Sequence, residues 1–341
     1  MIYNYLPIKS VHTGPNSTDN IRGLLQEIHP SRIMLMTNHS VSLTNFYQNF
    51  ISKLDFPVTE FKEVTQHSPM EEVEHAVELI RNNNCDIIIS IGGGSVIDAG
   101  KTARYYYKSL EQIAIPTTLS AAEFSHIAGY TIGDEKVGVR NKALTPQYIF
   151  LDPKATLETP EDLWRSTGIR ALDHSIETIV SNQESEIART FAIKSIKMLF
   201  GNLGLKSEFS RFQCQLAAWY SYFEVYDAPM GLSHNIGKII GAKWNIPHGI
   251  TSCITLPSVL RYYALSNPEP LAIIAKELGY EGSNVNDLAS TFARYVESFI
   301  SSLGLTHTLT DYEISEKDLD YIISKIKGAD ENVRSILTSM L

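Results

Sequence analysis

The run Ile87-Ile88-Ile89-Ser90-Ile91-Gly92-Gly93-Gly94-Ser95-Val96-Ile97-Asp98-Ala99-Gly100-Lys101 constrains the fold more than any other stretch of this chain. A β-branched apolar run reads as a buried strand, and the Ser and Asp beyond the glycines sit where a helix would start. Glycines at such a corner allow a positive φ and let the backbone approach a ligand closely. The helix N-terminus behind them offers unpaired N–H groups and the positive end of its dipole, which suits a pyrophosphate. The spacing is not G-x-G-x-x-G. A plain strand-to-helix turn without a ligand therefore stays open on this stretch alone.

Its neighbours narrow the choice. Strand patterns at 32–37, 58–64, 86–91 and 112–116 alternate with helical patterns at 40–54 and 70–82. Such alternation predicts a parallel, doubly wound sheet. Ligands of these sheets lie beyond the carboxyl ends of the strands, where Thr37-Asn38, Gly92-Gly93-Gly94 and Thr117-Thr118 all fall. After Asp152-Pro153 strand signals fade and helical periodicities take over at 163–181, 186–200, 209–226 and 232–244, with more helices from Asn284 onward. The expectation is a nucleotide-binding, Rossmann-like α/β domain over 1–152 and an all-helical catalytic domain over 153–341.

Composition removes several classes. A formal net charge of −9 over 341 residues argues against nucleic acid or an anionic membrane surface as partner, since either would call for a basic face. Three scattered cysteines, Cys85, Cys214 and Cys253, suggest neither a disulfide framework nor a thiolate zinc site. No signal peptide or transmembrane run is evident, so a soluble, cytoplasmic protein is expected. Three of the ten histidines lie in the helical half beside a glycine or proline: His174, His234 and His248. Arg170 shares a helix face with His174 at i, i+4. Histidines serve as metal ligands and proton donors, yet a single helical His is ordinarily a packed side chain, and both readings stand.

Taken together, Gly92-Gly93-Gly94-Ser95-x-x-Asp98, Pro116-Thr117-Thr118, Gly168-x-x-Ala171-Leu172-x-His174 and the pair His234-x13-His248 resemble the iron-containing (group III) alcohol dehydrogenases, from about residue 10 to about 265. The resemblance implies an architecture shared with dehydroquinate synthases, NAD(H) or NADP(H) as cofactor, a small carbonyl or alcohol substrate, and a homodimer. It also implies cofactor contacts from Asn38, Gly92, Gly93, Gly94, Ser95, Asp98, Thr117, Thr118 and Leu119. Many NAD-preferring relatives carry Asp directly after the Thr of the first loop. Asn38 here implies weak exclusion of NADPH, because an amide carries no charge to repel a 2′-phosphate.

Two departures bear on mechanism. Metal-dependent members carry an Asp four residues before the first ligand His, where this chain has Arg170. Asp173 precedes His174 by one position and projects about 100° away on a helix. A guanidinium repels a dication, so no catalytic metal is expected; if one were bound, His174, His234 and His248 would hold it. The loop Pro116-Thr117-Thr118-Leu119-Ser120-Ala121-Ala122-Glu123 is also one residue shorter than in metal-dependent members and similar in spacing to maleylacetate reductases. The expectation is reduction of an oxo acid, with His234 and His248 polarising and protonating the carbonyl oxygen, and His174 in support. Arg170 either anchors a substrate carboxylate or pairs internally with Asp173 or Glu177. Alternatives are a metal-dependent alcohol dehydrogenase, a dehydroquinate synthase-like lyase, and a nucleotide-binding protein without catalysis.

Overall fold

The computed structural model describes residues 5–107, 110–133, 135–181, 185–223, 231–326, 328–329 and 331–341. By packing, the chain divides into two units. One runs to Pro160 and includes Leu205–Leu216; the other comprises Glu161–Gly204 and Ala217–Leu341.

In chain order the first unit holds β1 (Ser10–Thr13), α1 (Ile21–Ile28), β2 (Ile33–Met36), α2 (His39–Ser42), α3 (Asn45–Ser52), β3 (Val58–Phe61), α4 (Met70–Asn83), β4 (Ile87–Gly92), α5 (Gly94–Tyr106), β5 (Glu111–Pro116), β6 (Ile127–Ile132), β7 (Glu135–Arg140) and β8 (Tyr148–Leu151). Six strands form one sheet in the order β1-β8-β5-β4-β2-β3, and every pairing is parallel. Strand alternation splits the isoleucines of β4 between two cores. Ile87, Ile89 and Ile91 pack with Leu25 of α1 and Phe50 of α3, while Ile88 packs with Ile80 of α4 and Val96 of α5. A sheet covered on both faces is what a continuous apolar strand requires.

The expected strands and helices of this half are present to within a few residues, with two differences. The helix expected over 40–54 is two helices, because the Thr44 side chain accepts from Tyr47 N and starts a second one. Strands β1, β6, β7 and β8 were not expected. β6 and β7 form a separate antiparallel hairpin, and β1 and β8 are the paired strands at one edge of the sheet, four residues each.

The second unit is built from α6 (Glu161–Ser181), α7 (Glu186–Asn202), part of α8 (Glu208–Ser221), α9 (Leu232–Lys243), α10 (His248–Ser266), α11 (Pro268–Glu277), α12 (Val285–Ser302), α13 (Glu316–Lys325) and α14 (Glu331–Thr338). The helix expected over 209–226 ends at Ser221 and passes into a turn at 222–223, and 224–226 lie outside the described residues. Helix α6 is central: it packs on α7, α9, α10 and α11 and is buried almost continuously from Trp164 to Ile179. Glycines let its neighbours come close. A Cβ on Gly168 would stand 2.3 Å from Leu203 Cδ1, and one on Gly249 only 2.6 Å from the Ser166 carbonyl carbon. No helix among the described residues is long and apolar enough to cross a membrane.

Candidate active site

Three loops meet at the carboxyl edge of the sheet in the first unit, and hydrogen bonds tie them together. Thr37 Oγ1 donates to the Ile91 carbonyl at 2.7 Å, and Thr117 N donates to the Gly92 carbonyl at 3.0 Å. The glycines act differently from expectation. None of Gly92, Gly93 and Gly94 has a positive φ, and Gly93 is extended at φ −76°, ψ −172°. What they supply is room. A Cβ at Gly93 would lie 3.1 Å from Thr118 Cγ2, one at Gly94 3.1 Å from Ser120 Oγ, and one at Gly92 2.6 Å from Val96 Cγ2.

This corner fits the pyrophosphate of a dinucleotide. No side chain caps α5, and the buried Thr118 hydroxyl beside Gly93 has no hydrogen-bond partner. Other expected contacts are committed within the protein. Asp98 accepts from Lys101 Nζ at 3.0 Å and from Gly129 N at 3.1 Å. Ser95 Oγ accepts from His67 N, and the Ser95 carbonyl accepts from Ser68 Oγ. Leu119 is fully buried. These three shape the corner from behind. Asn38 caps α2, its Oδ1 accepting from Val41 N at 2.8 Å, so its amide NH2 is the group left for a ligand.

Beneath the corner lies a buried charged cluster that the sequence did not reveal. Lys101 Nζ also donates to the Ala122 and Ile127 carbonyls. Glu123 is buried with its Oε2 unpartnered, and burial pushes its carboxyl up to about 7.

In the second unit α6, α9 and α10 bring Arg170, His174 and His234 together. The two imidazole centroids are 5.6 Å apart. Arg170 is 6 % exposed; its Nη2 donates to His234 Nε2 at 3.1 Å and its Nη1 to Ser252 Oγ at 3.0 Å. Gly237 leaves room for Thr251 of α10, since a Cβ there would stand 2.9 Å from Thr251 Oγ1. Of the two internal carboxylates considered, Asp173 is the partner, with Oδ2 3.6 Å from Nη1; Ser252 Oγ and Ser233 Oγ donate to the same oxygen. Glu177 instead caps α9, accepting from Gly231 N at 3.2 Å, Ser233 N at 2.7 Å and His234 N at 3.3 Å. His248 opens α10, half-buried, with Nδ1 near Gly241, two turns along α9 from His234.

Burial first, then the Arg170 charge, hold His174 and His234 well below the ordinary imidazole range, and His248 adds to the effect on His234. Both rings are therefore neutral. A guanidinium can only donate, so His234 Nε2 is the acceptor and Nδ1 carries the proton. Nδ1 of His234 and Nδ1 of His174 are buried with no hydrogen-bond partner, two polar positions that a ligand can satisfy.

These residues do not fit a metal ion. The lone pair with which His234 Nε2 would bind one is taken by Arg170. A unit charge facing a dication at ~4 Å and an effective dielectric of ~20 costs about 8 kcal/mol. Asp173 is turned toward Ser233 and Ser252. Among the described residues no group of three His, Cys, Asp or Glu side chains is arranged to hold a metal. Sequence reading missed Ser252, and it named Glu177 only as an alternative partner of Arg170 and not as the cap of α9. Glu177 alone left a signal, an acid three residues beyond His174 and seven beyond Arg170 on one helix face.

Comparison with known proteins gives one consistent result. Residues 9–153 match the family model described as iron-containing alcohol dehydrogenase, and residues 165–334 match that of the Fe-containing alcohol dehydrogenase family, C-terminal. The chain is 29% identical over 317 residues to Dehydrogenase ALT3 of Alternaria alternata, covering 75% of this chain and 82% of that one. It is 27% identical over 266 residues to the maleylacetate reductase of Rhizobium sp., covering 76% and 72%. Among solved structures, an alcohol dehydrogenase from Oenococcus oeni superposes with a TM-score of 0.93 at 20% identity over 100% of both chains. The Rhizobium maleylacetate reductase superposes with a TM-score of 0.85 at 21% identity over 100% of this chain and 97% of that one.

Proposed function

The chain belongs to the iron-containing alcohol dehydrogenase family and is an oxidoreductase, and from that premise we propose that it reduces the carbonyl group of a small oxo acid with NADH or NADPH and without a catalytic metal. The observation that carries this reading is the Arg170 guanidinium bonded to His234 Nε2. It puts a fixed positive charge against the imidazole that would otherwise be a ligand, and it favours an anionic substrate. The cofactor supplies the hydride. Thr118 and the Gly92–Gly94 corner bind its pyrophosphate, His248 delivers the proton, and His174 and His234 line the substrate through their unpartnered Nδ1 atoms. With no Lewis acid, the developing alkoxide relies on these donors.

Elemental analysis of protein purified without added metal is expected to find far less than one iron or zinc per chain, and turnover of oxo acids should survive chelation. One tightly held metal per chain, or loss of activity to a chelator with recovery on metal addition, would overturn the metal-free reading.

The same reading predicts cofactor tolerance. Asn38 has no charge to reject a 2′-phosphate, so kcat/KM for NADPH is expected within about tenfold of that for NADH, or ~1.4 kcal/mol. Asn38→Asp keeps the cap of α2, because Asp caps as well as Asn, and adds repulsion toward the phosphate. Preference should then move toward NADH. A parent that rejects NADPH by roughly a thousandfold, about 4 kcal/mol, or a variant without any shift, would place cofactor selection elsewhere.

A further inference from the structure

Building on the metal-free reading, we propose that the Arg170 guanidinium itself replaces the metal as the electrophile, binding the carbonyl oxygen of a 2-oxo acid and stabilising the alkoxide as it forms. Three observations carry this. Arg170 Nη2 lies on the acceptor atom of His234, at 3.1 Å, so the cationic end occupies the direction in which that nitrogen would hold a cation. The guanidinium is also fixed in place: Ser252 Oγ and Asp173 hold Nη1. A donor with a built-in position costs little reorganisation when charge develops. Finally, His174 Nδ1 and His234 Nδ1 are buried beside it without partners, which is expected where a ligand supplies the missing groups.

Asp173 and Ser252 occupy the Nη1 side, so Nη2 keeps a second N–H and Nε–H completes a fork. A carbonyl oxygen and a carboxylate oxygen on adjacent carbons match such a fork, and this selects 2-oxo acids over acids whose carbonyl is farther from the carboxylate. In the reaction the carbonyl carbon accepts a hydride from the reduced nicotinamide, the C=O π pair passes to oxygen, and that oxygen takes a proton from His248. The products are the 2-hydroxy acid and the oxidised nicotinamide.

The test uses steady-state kinetics of the full chain with pyruvate, 2-oxobutyrate and 2-oxoglutarate, against propanal and butanal. The variants are Arg170→Lys and the double variant Arg170→Met with Asp173→Asn, which strands no buried carboxylate; thermal unfolding confirms that each folds. If Arg170 is the electrophile, the double variant loses kcat by on the order of 10²–10³-fold on acids and aldehydes alike. Arg170→Lys regains part of it, and millimolar guanidinium restores kcat in the double variant. A kcat that holds on aldehydes while KM rises for the acids alone would make Arg170 only an anchor and overturn the proposal, as would a parent that turns over none of the 2-oxo acids. Cobalt absorbance separates this from failure of the metal-free reading. Arg170→Asp is expected to bind Co²⁺ and the parent not; a parent that binds one Co²⁺ tightly sinks the metal-free reading itself.

Discussion

Glu177→Ala is expected to destabilise the protein by about 3–5 kcal/mol, because the carboxylate accepts from three backbone N–H groups at the start of α9, and each buried donor left unpaired costs about 1–3 kcal/mol. The same substitution should lower kcat by at least tenfold, since His234 N is one of the three donors and the ring loses its fixed position. Glu177→Gln is the informative contrast. Burial raises the Glu177 carboxyl well above the ordinary range, with Asp173 adding to it, so holding the charge there is costly. Gln keeps an oxygen for Ser233 and His234 and removes that cost, which offsets the loss of the acceptor for the part-buried Gly231 N. Its stability should lie within about 1 kcal/mol of the parent, with most of the activity kept. Urea unfolding and kcat of both variants check this. An Ala variant as stable as the parent would show that the cap contributes nothing.

The second large effect is a pH dependence centred on Glu123. Its carboxyl is buried and raised from 4.5 to about 7. The folded state therefore holds a proton that the unfolded chain releases near pH 4.5. For a group raised in this way, the stabilisation is fully present below the unfolded value and is lost as pH climbs toward 7. The parent should lose stability across that window, by up to about 3 kcal/mol in all, and change little on this account at higher pH. Glu123→Gln removes the titrating group and should flatten that part of the profile, so its advantage over the parent grows from pH 5 to about pH 7 and then levels off. Denaturation midpoints at pH 5, 6, 7 and 8 provide the measurement. Parallel profiles for parent and variant would mean that Glu123 does not titrate in this window.

Much of the first unit was legible because its signals are local. A β-branched run before Gly92-Gly93-Gly94 reads as strand, corner and helix from the sequence alone, and strand–helix alternation specifies a parallel sheet whose strand ends gather the loops. Thr37, Gly92 and Thr117 converge as that rule predicts. The positive φ expected of the glycines is not found; they provide clearance for Thr118, Ser120 and Val96. Clearance depends on residues distant in sequence, and a pattern cannot report it.

The second unit shows the same division. Sequence alone placed Arg170 and His174 on one helix face and left Arg170's partner open between Asp173, Glu177 and a substrate. Packing of α6 against α9 and α10 decided it: Asp173 takes Nη1, Glu177 turns to the N-terminus of α9, and Nη2 meets His234. Residue order determines which side chains share a helix face, because that follows from 3.6 residues per turn. Which buried charge meets which partner is set by how closely helices far apart in sequence approach, here through Gly231, Gly237 and Gly249, and so it exists only in the folded protein.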